Sequence, residues 1–186
     1  MTGDPPRSGD YVNATAVFDV DAIGLIRILT GMNEGRDATG NSVGEPTAFC
    51  VGAALDPAAT EPSREMERLL AKAEAGARWC QTQPVYDLEV LERFFQRTRS
   101  PIPVVVGVLP LHSSRHAEFL HNEVPGISVP DGVRSRMKEA GERGLRAGIE
   151  TAQALVSHLR GRYAGAYLMP SFGRFEVVAE VLDALQ

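Results

Sequence analysis

Long apolar runs are missing from this chain: no stretch approaches the ~20 residues that a membrane-spanning helix needs. The opening MTGDPPRSGD lacks the hydrophobic core of a signal peptide, which predicts a cytoplasmic protein. Cysteine is scarce, with two residues. Cys50 and Cys80 stand far apart inside predicted strands and read as small buried hydrophobes rather than a disulfide or metal pair. An excess of positive charge is absent too. Nineteen Lys and Arg against 24 Asp and Glu leave a net charge of −5, which argues against nonspecific nucleic-acid binding. Of the four histidines, His112 and His116 are four apart, but no further ligand stands beside them, so no metal site is expected. No GxGxxG follows a strand, and neither GxxxxGK[ST] nor GxSxG occurs. No single motif therefore assigns a chemistry by mechanism alone.

What is present is an ordinary globular composition in 186 residues, 44% apolar and 23% charged, which predicts one domain spanning 1–186. Asp19 or Asp21 can cap a helix whose apolar face is Ile23, Ile26, Ile28 and Leu29. A Gly/Asn/Asp-rich connection fills 31–45. Residues 47–55 are apolar on both faces, as a buried parallel strand should be, and Asp56-Pro57 stops them. Helix follows over 61–75, with Met66, Leu69, Leu70 and Ala73 inward and Glu65, Arg68 and Lys72 on another face. The pattern repeats as strand 78–85, helix 87–98, strand 103–111 and helix 114–122. A connector at 125–129 leads into a mostly helical 132–160, then strand 165–170 and helix 174–185. Strands alternating with helices imply parallel βαβ units. Four such units amount to about half of a (β/α)₈ TIM barrel, so the expected fold is α/β, a C-terminal partial barrel of about four βα units.

In that architecture the active site lies at the C-terminal ends of the strands. The polar groups falling there are Asp4, Asp56, Gln83 with Tyr86 and Asp87, His112 with Ser113 and Ser114, and Ser171 with Arg174. A carboxylate, an amide and an arginine on one rim suit a planar, amide-rich, acid-bearing ligand, and the Glu65/Arg68/Lys72 face suits phosphates, with Lys72 as the point charge. Each residue has a plainer reading as well. Asp4 fits a turn ahead of two prolines. Arg174 fits a helix start, although a cation there opposes the helix dipole. Lys72 and Arg68 fit a solvated helix face, and His116 and His121 fit helix ends. Gln83 is the hardest to explain structurally, because an amide inside an apolar strand needs partners.

Several segments taken together resemble methylenetetrahydrofolate reductase. They are Gly3-Asp4-Pro5-Pro6, Phe18-Asp19-Val20-Asp21, Thr82-Gln83-Pro84-Val85-Tyr86-Asp87, Gly107-Val108-Leu109-Pro110-Leu111 and the run from Ala117 to Ile127 (AEFLHNEVPGI). The similarity extends along essentially the whole chain, and is greatest to the reductase module of bacterial bifunctional homocysteine S-methyltransferase/methylenetetrahydrofolate reductase. The resemblance implies a cytoplasmic flavoprotein oxidoreductase of one-carbon metabolism and methionine biosynthesis. Such an enzyme uses FAD and a reduced nicotinamide, NADH or NADPH, to convert 5,10-methylenetetrahydrofolate to 5-methyltetrahydrofolate. It further implies that Asp4, with Gly3, lies near the flavin and the pterin, and that Gln83 contacts nicotinamide and folate. Lys72, with Glu65 and Arg68, would hold the FAD phosphate and ribose region, and Asp56 a further FAD contact. Arg174 would stand near the folate, and His116 at a position where some relatives carry an amide.

By the same resemblance, Gly3-Asp4-Pro5-Pro6 is the earliest matching motif, so the N-terminal half of the barrel, with its general-acid glutamate, is expected outside this chain. A half-barrel with open sheet edges is expected to form a homo-oligomer or to take a partner that completes the barrel. The alternative function is a flavin- or folate-binding or assembly fragment without turnover.

Overall fold

The computed structural model describes residues 13–17, 19–96 and 98–183. Helix α1 (Ala22–Asn33) starts at Asp21, whose carboxylate accepts the Gly24 N–H at 2.7 Å, so Asp21 rather than Asp19 is the cap. Strand β1 (Gly52–Leu55) leads to α2 (Pro62–Glu74), β2 (Trp79–Pro84), α3 (Leu88–Phe95) and β3 (Val104–Val108). Helices α4 (Ser114–Glu123), α5 (Asp131–Ala140) and α6 (Gly144–Leu159) precede β4 (Gly165–Leu168) and α7 (Phe175–Leu182). Local chemistry sets these starts. Asp87 and Ser113 cap α3 and α4 through their side chains, and Pro62 opens α2, where its missing N–H costs nothing. The predicted helical stretch 132–160 is broken at Gly141, whose φ of +54° suits a residue without a Cβ.

The four strands pair in chain order, β1-β2-β3-β4, and every pairing is parallel. The architecture is α/β, with the strand order of half a (β/α)₈ barrel. Side chains alternate. Ala53, Leu55, Cys80, Val104, Val106 and Val108 are buried on one face, under Met66, Leu69, Leu91, Phe94, Ile149, Leu155, Val177 and Val181 of the helices. Each fully buried Leu or Val there contributes ~1.5–3 kcal/mol of burial. The opposite face carries Gly52, Trp79, Gln81, Val105, Gly107 and Tyr167, and all but Gly107 are only half-buried.

Two expectations need correction. The first strand occupies only the end of 47–55, because the preceding backbone is engaged elsewhere. Thr47 N–H donates to Met32 O, Phe49 N–H to Asn33 Oδ1, and Asn33 Nδ2 to Phe49 O, so the end of α1 takes the groups a strand would need. For the same reason Cys50 is exposed and lies outside β1, whereas Cys80 is fully buried in β2. No helix among the described residues is long and apolar enough to cross a membrane.

Candidate functional site

The C-terminal end of β1 gathers the first group of predicted residues. Asp56 follows β1 directly, and its backbone N–H donates to Glu65 Oε1 at 3.3 Å. Glu65 stands 3.6 Å from Lys72 Nζ and 3.8 Å from Arg68 Nε. Lys72 is 4% exposed and donates to the Ala54 carbonyl oxygen at 2.7 Å, so the solvated reading of this lysine is wrong. Arg68 instead keeps its guanidinium half in solvent. Lys72 and Arg68 line a cavity of about 190 Å³ with Gly52, Ala54 and one side of α1. Burial pushes the Asp56 carboxyl above its usual range; the Ala58 N–H opposes the shift and the Glu65 charge adds to it.

The second group centres on an irregularity in β2. Gln81 pairs with Val105 and Pro84 with Gly107, so β2 spends three residue steps where β3 spends two. This is a bulge at Thr82–Gln83, of the kind that re-aims a side chain. The Thr82 hydroxyl fills the broken ladder, accepting the Gly107 N–H at 2.9 Å and donating to the Gln83 carbonyl at 2.7 Å. The Tyr167 hydroxyl of β4 donates to the Thr82 carbonyl at 2.6 Å, crossing over Gly107 to reach it. A Cβ at Gly107 would stand 2.8 Å from that hydroxyl. Gln83 is left half-buried against Gly126 in the loop after α4, where an added Cβ would lie 3.6 Å from its Cδ. Its amide has no hydrogen-bond partner among the described residues.

The third group lies beyond β3 and β4. The rings of His112 and His116 stand 5.5 Å apart, and Phe172 contacts both, at 5.1 and 5.2 Å between centroids. Phe172 is exposed and has a φ of +58°, a strained conformation for a residue with a side chain. His116 Nδ1 accepts the His112 N–H, and the buried Nε2 of His112 has no partner among the described residues. Burial lowers the pKa of His112, and the neighbouring Arg174 lowers it further against the opposing Glu176. Burial and then His112 lower that of His116. Arg174 is exposed at the start of α7, where it pairs with Glu176 at 2.9 Å and so offsets its unfavourable place at a helix N-terminus.

The structure thus brings Asp56, Glu65, Arg68 and Lys72 together at one strand end, and places Gln83, His116 and Arg174 on the same rim. Gly3 and Asp4 lie outside the described residues. Asp87 serves as the α3 cap, and Tyr86 is buried, its hydroxyl without a partner among the described residues. Sequence reasoning missed Thr82, Tyr167 and Phe172. Two hydroxyls in apolar strands were the available signal for the first two, because buried hydroxyls require partners; nothing in the pattern pointed to Phe172.

A family model described as methylenetetrahydrofolate reductase matches residues 1–169. Methylenetetrahydrofolate reductase 2 of Schizosaccharomyces pombe is 26% identical across 75% of this chain and 22% of its own length. A solved Clostridium thermocellum protein, described as binding two copies of 5-methyl-5,6,7,8-tetrahydrofolic acid, superposes with a TM-score of 0.51 at 18% identity. That superposition covers 73% of this chain and 52% of the other. The chain therefore spans under a quarter of the yeast relative and about half of the structural one.

Proposed function

The chain belongs to the methylenetetrahydrofolate reductase family, and from that premise we propose that residues 1–186 carry the C-terminal part of a folate- and FAD-binding reductase domain. The reaction is the reduction of 5,10-methylenetetrahydrofolate to 5-methyltetrahydrofolate with NADH or NADPH, within methionine supply. The observation that carries this reading is the Gln83 amide. It is half-buried, free of hydrogen-bond partners among the described residues, and stands at the strand-end rim that also carries His116 and Arg174. A primary amide offers a donor pair and an acceptor, which matches the alternating donors and acceptors of a pterin edge. Arg174 supplies the cation for an acid-bearing ligand.

The residues at the end of β1 fit a phosphate-bearing cofactor in charge. Arg68 holds a half-exposed guanidinium at the cavity, and Lys72 places a second positive charge at its wall. Arg68 would hold the phosphates, with Lys72 adding its charge from the cavity wall, and Asp56 and Glu65 would hold the neighbouring hydroxyls. When bound, FAD supplies hydride transfer between nicotinamide and folate. The protein's part is to bind and orient. Gln83 fixes the ligand plane, and Asp4 would favour a cationic folate by its charge. Neutral His112 and His116, kept so by burial, leave Arg174 as the cation on their side of the rim.

The test is flavin absorbance retained by the purified 186-residue chain after gel filtration with FAD, beside Arg68→Ala. Stoichiometric flavin in the parent and a clear loss in the variant support the reading. A folded chain that retains none overturns it. The coverage of half the folate-binding neighbour favours one second reading, a binding or assembly module without turnover. A folded chain that binds 5-methyltetrahydrofolate but shows no nicotinamide oxidation with FAD present would establish that second reading.

A further inference from the structure

We propose that Thr82 and Tyr167 are positioning residues that set the orientation of the Gln83 amide toward its ligand, a role that rests on the reading of Gln83 given above. Three observations carry it. The bulge adds one residue to β2 at Thr82–Gln83. Left alone, such an insertion frees backbone groups inside the sheet, and freed groups let the segment settle in more than one way. Here a side-chain hydroxyl takes the place of the lost ladder partner. Thr82 Oγ1 accepts from Gly107 and donates to the Gln83 carbonyl, which fixes the peptide that carries the Gln83 side chain. The third tie comes from two strands away. Tyr167 reaches over Gly107 to donate to the Thr82 carbonyl, so β4 fixes the peptide on the other side of the bulge.

The hydroxyls therefore do more than satisfy themselves. Thr82 is 2% exposed, and valine would fill the same volume without bonding either group. Gly107 belongs to the same device. The phenol ring occupies the space of its absent Cβ, and a side chain there could be accommodated only by moving the ring off the Thr82 carbonyl. Gln83 has no hydrogen-bond partner among the described residues to fix its amide, so its backbone and its place beside Gly126 must do so. A bond removed at Thr82 or Tyr167 thus becomes a loss of preorganisation at an amide that neither residue touches on the ligand side.

The experiment uses the full chain with Tyr167→Phe, Thr82→Val, Thr82→Ser and Gln83→Ala, with folding confirmed by circular dichroism. Calorimetry with 5-methyltetrahydrofolate should show affinity about fivefold weaker in Tyr167→Phe and Thr82→Val, the worth of one net hydrogen bond, with Thr82→Ser near the parent. On a Gln83→Ala background Tyr167→Phe should cost nothing further, since there is no amide left to orient. Full additivity of the two losses, or parent-like affinity in Tyr167→Phe, overturns the proposal. Failure of Thr82→Val to fold leaves Tyr167→Phe to decide. A second readout needs no ligand: nuclear Overhauser contacts between the Gln83 side-chain amide and Gly126 should be present in the parent and weakened in Tyr167→Phe. Unchanged contacts overturn the positioning role. Absence of binding by the parent would overturn the function proposed above, and the Gln83–Gly126 contacts would still decide whether the hydroxyls orient the amide.

Discussion

The ammonium of Lys72 donates to the carbonyl oxygen of Ala54 at 2.7 Å. One end of α2 is thereby tied to the strand before it by a charge almost wholly removed from water, with Glu65 as its counter-ion. Removing the ammonium leaves Glu65 with only the half-exposed Arg68, 3.8 Å away, and costs ~3 kcal/mol, the low end for breaking a buried pair. Lys72→Met, which keeps the length and discards the charge, should lower the urea midpoint by the equivalent of about 3 kcal/mol. A midpoint equal to the parent's would show that the lysine is not part of the framework. This is why Arg68→Ala, at a half-exposed position, is the cleaner probe of flavin retention.

Gly148 places α6 against the segment after β3 so closely that an added Cβ would stand 1.8 Å from the Leu111 carbonyl oxygen. That oxygen belongs to backbone and cannot swing aside. Gly148→Ala should therefore destabilise by about 3 kcal/mol, or roughly 6–12 °C in melting temperature for a domain of this size. Thermal unfolding checks it, with Gly132→Ala, where an added Cβ meets nothing within 4 Å, as the neutral comparison. Equal melting temperatures for the two variants would refute the close approach.

Folding holds the imidazoles of His112 and His116 below their ordinary value of 6.5, chiefly by burial. The unfolded chain therefore binds more protons than the native one as pH falls past that value. This part of the stability is complete above about pH 6.5 and is lost on acidification toward the lower native values. The urea midpoint should drop between about pH 7.5 and 5.5, and the drop should shrink in the double variant His112→Asn/His116→Asn. An unchanged slope in that variant would place the acid sensitivity elsewhere.

The two thiols should differ in kind. Cys50 is exposed, while burial raises the Cys80 thiol to about 11. A disulfide reagent near neutral pH should titrate one thiol per native chain at once and the second only on unfolding, because the thiolate is the reacting form. Two fast thiols in the native chain would contradict the burial of β2.

How far the sequence could be read depended on the range of the interactions involved. Helices α2 and α3 have apolar stripes whose members lie within a few residues of one another, so periodicity located them to within a few positions. The four parallel strands followed from their alternation with helices. Residues 47–49 do not form a strand although their apolar character matches one, because the hydrogen bonds of Thr47 and Phe49 go to the end of α1, a preference that hydropathy does not encode. Cys50 was misplaced with them. Lys72 shares helical spacing with Arg68 and Glu65, and spacing alone could not reveal that it turns under the helix to reach Ala54. The bulge at Thr82–Gln83 was out of reach for a different reason: its partners lie 25 and 85 residues away, and only the folded sheet brings them together. The amide at Gln83, by contrast, was noticeable from the strand pattern alone.

Gly107 and Tyr167 occupy one shared volume across the boundary between β3 and β4. Their inheritance is linked in consequence. A lineage that acquires a side chain at 107 while the phenol remains at 167 must displace that ring, so the tolerated order of change begins with a smaller residue at 167. Among descendants of this chain, the two positions are expected to vary as a pair.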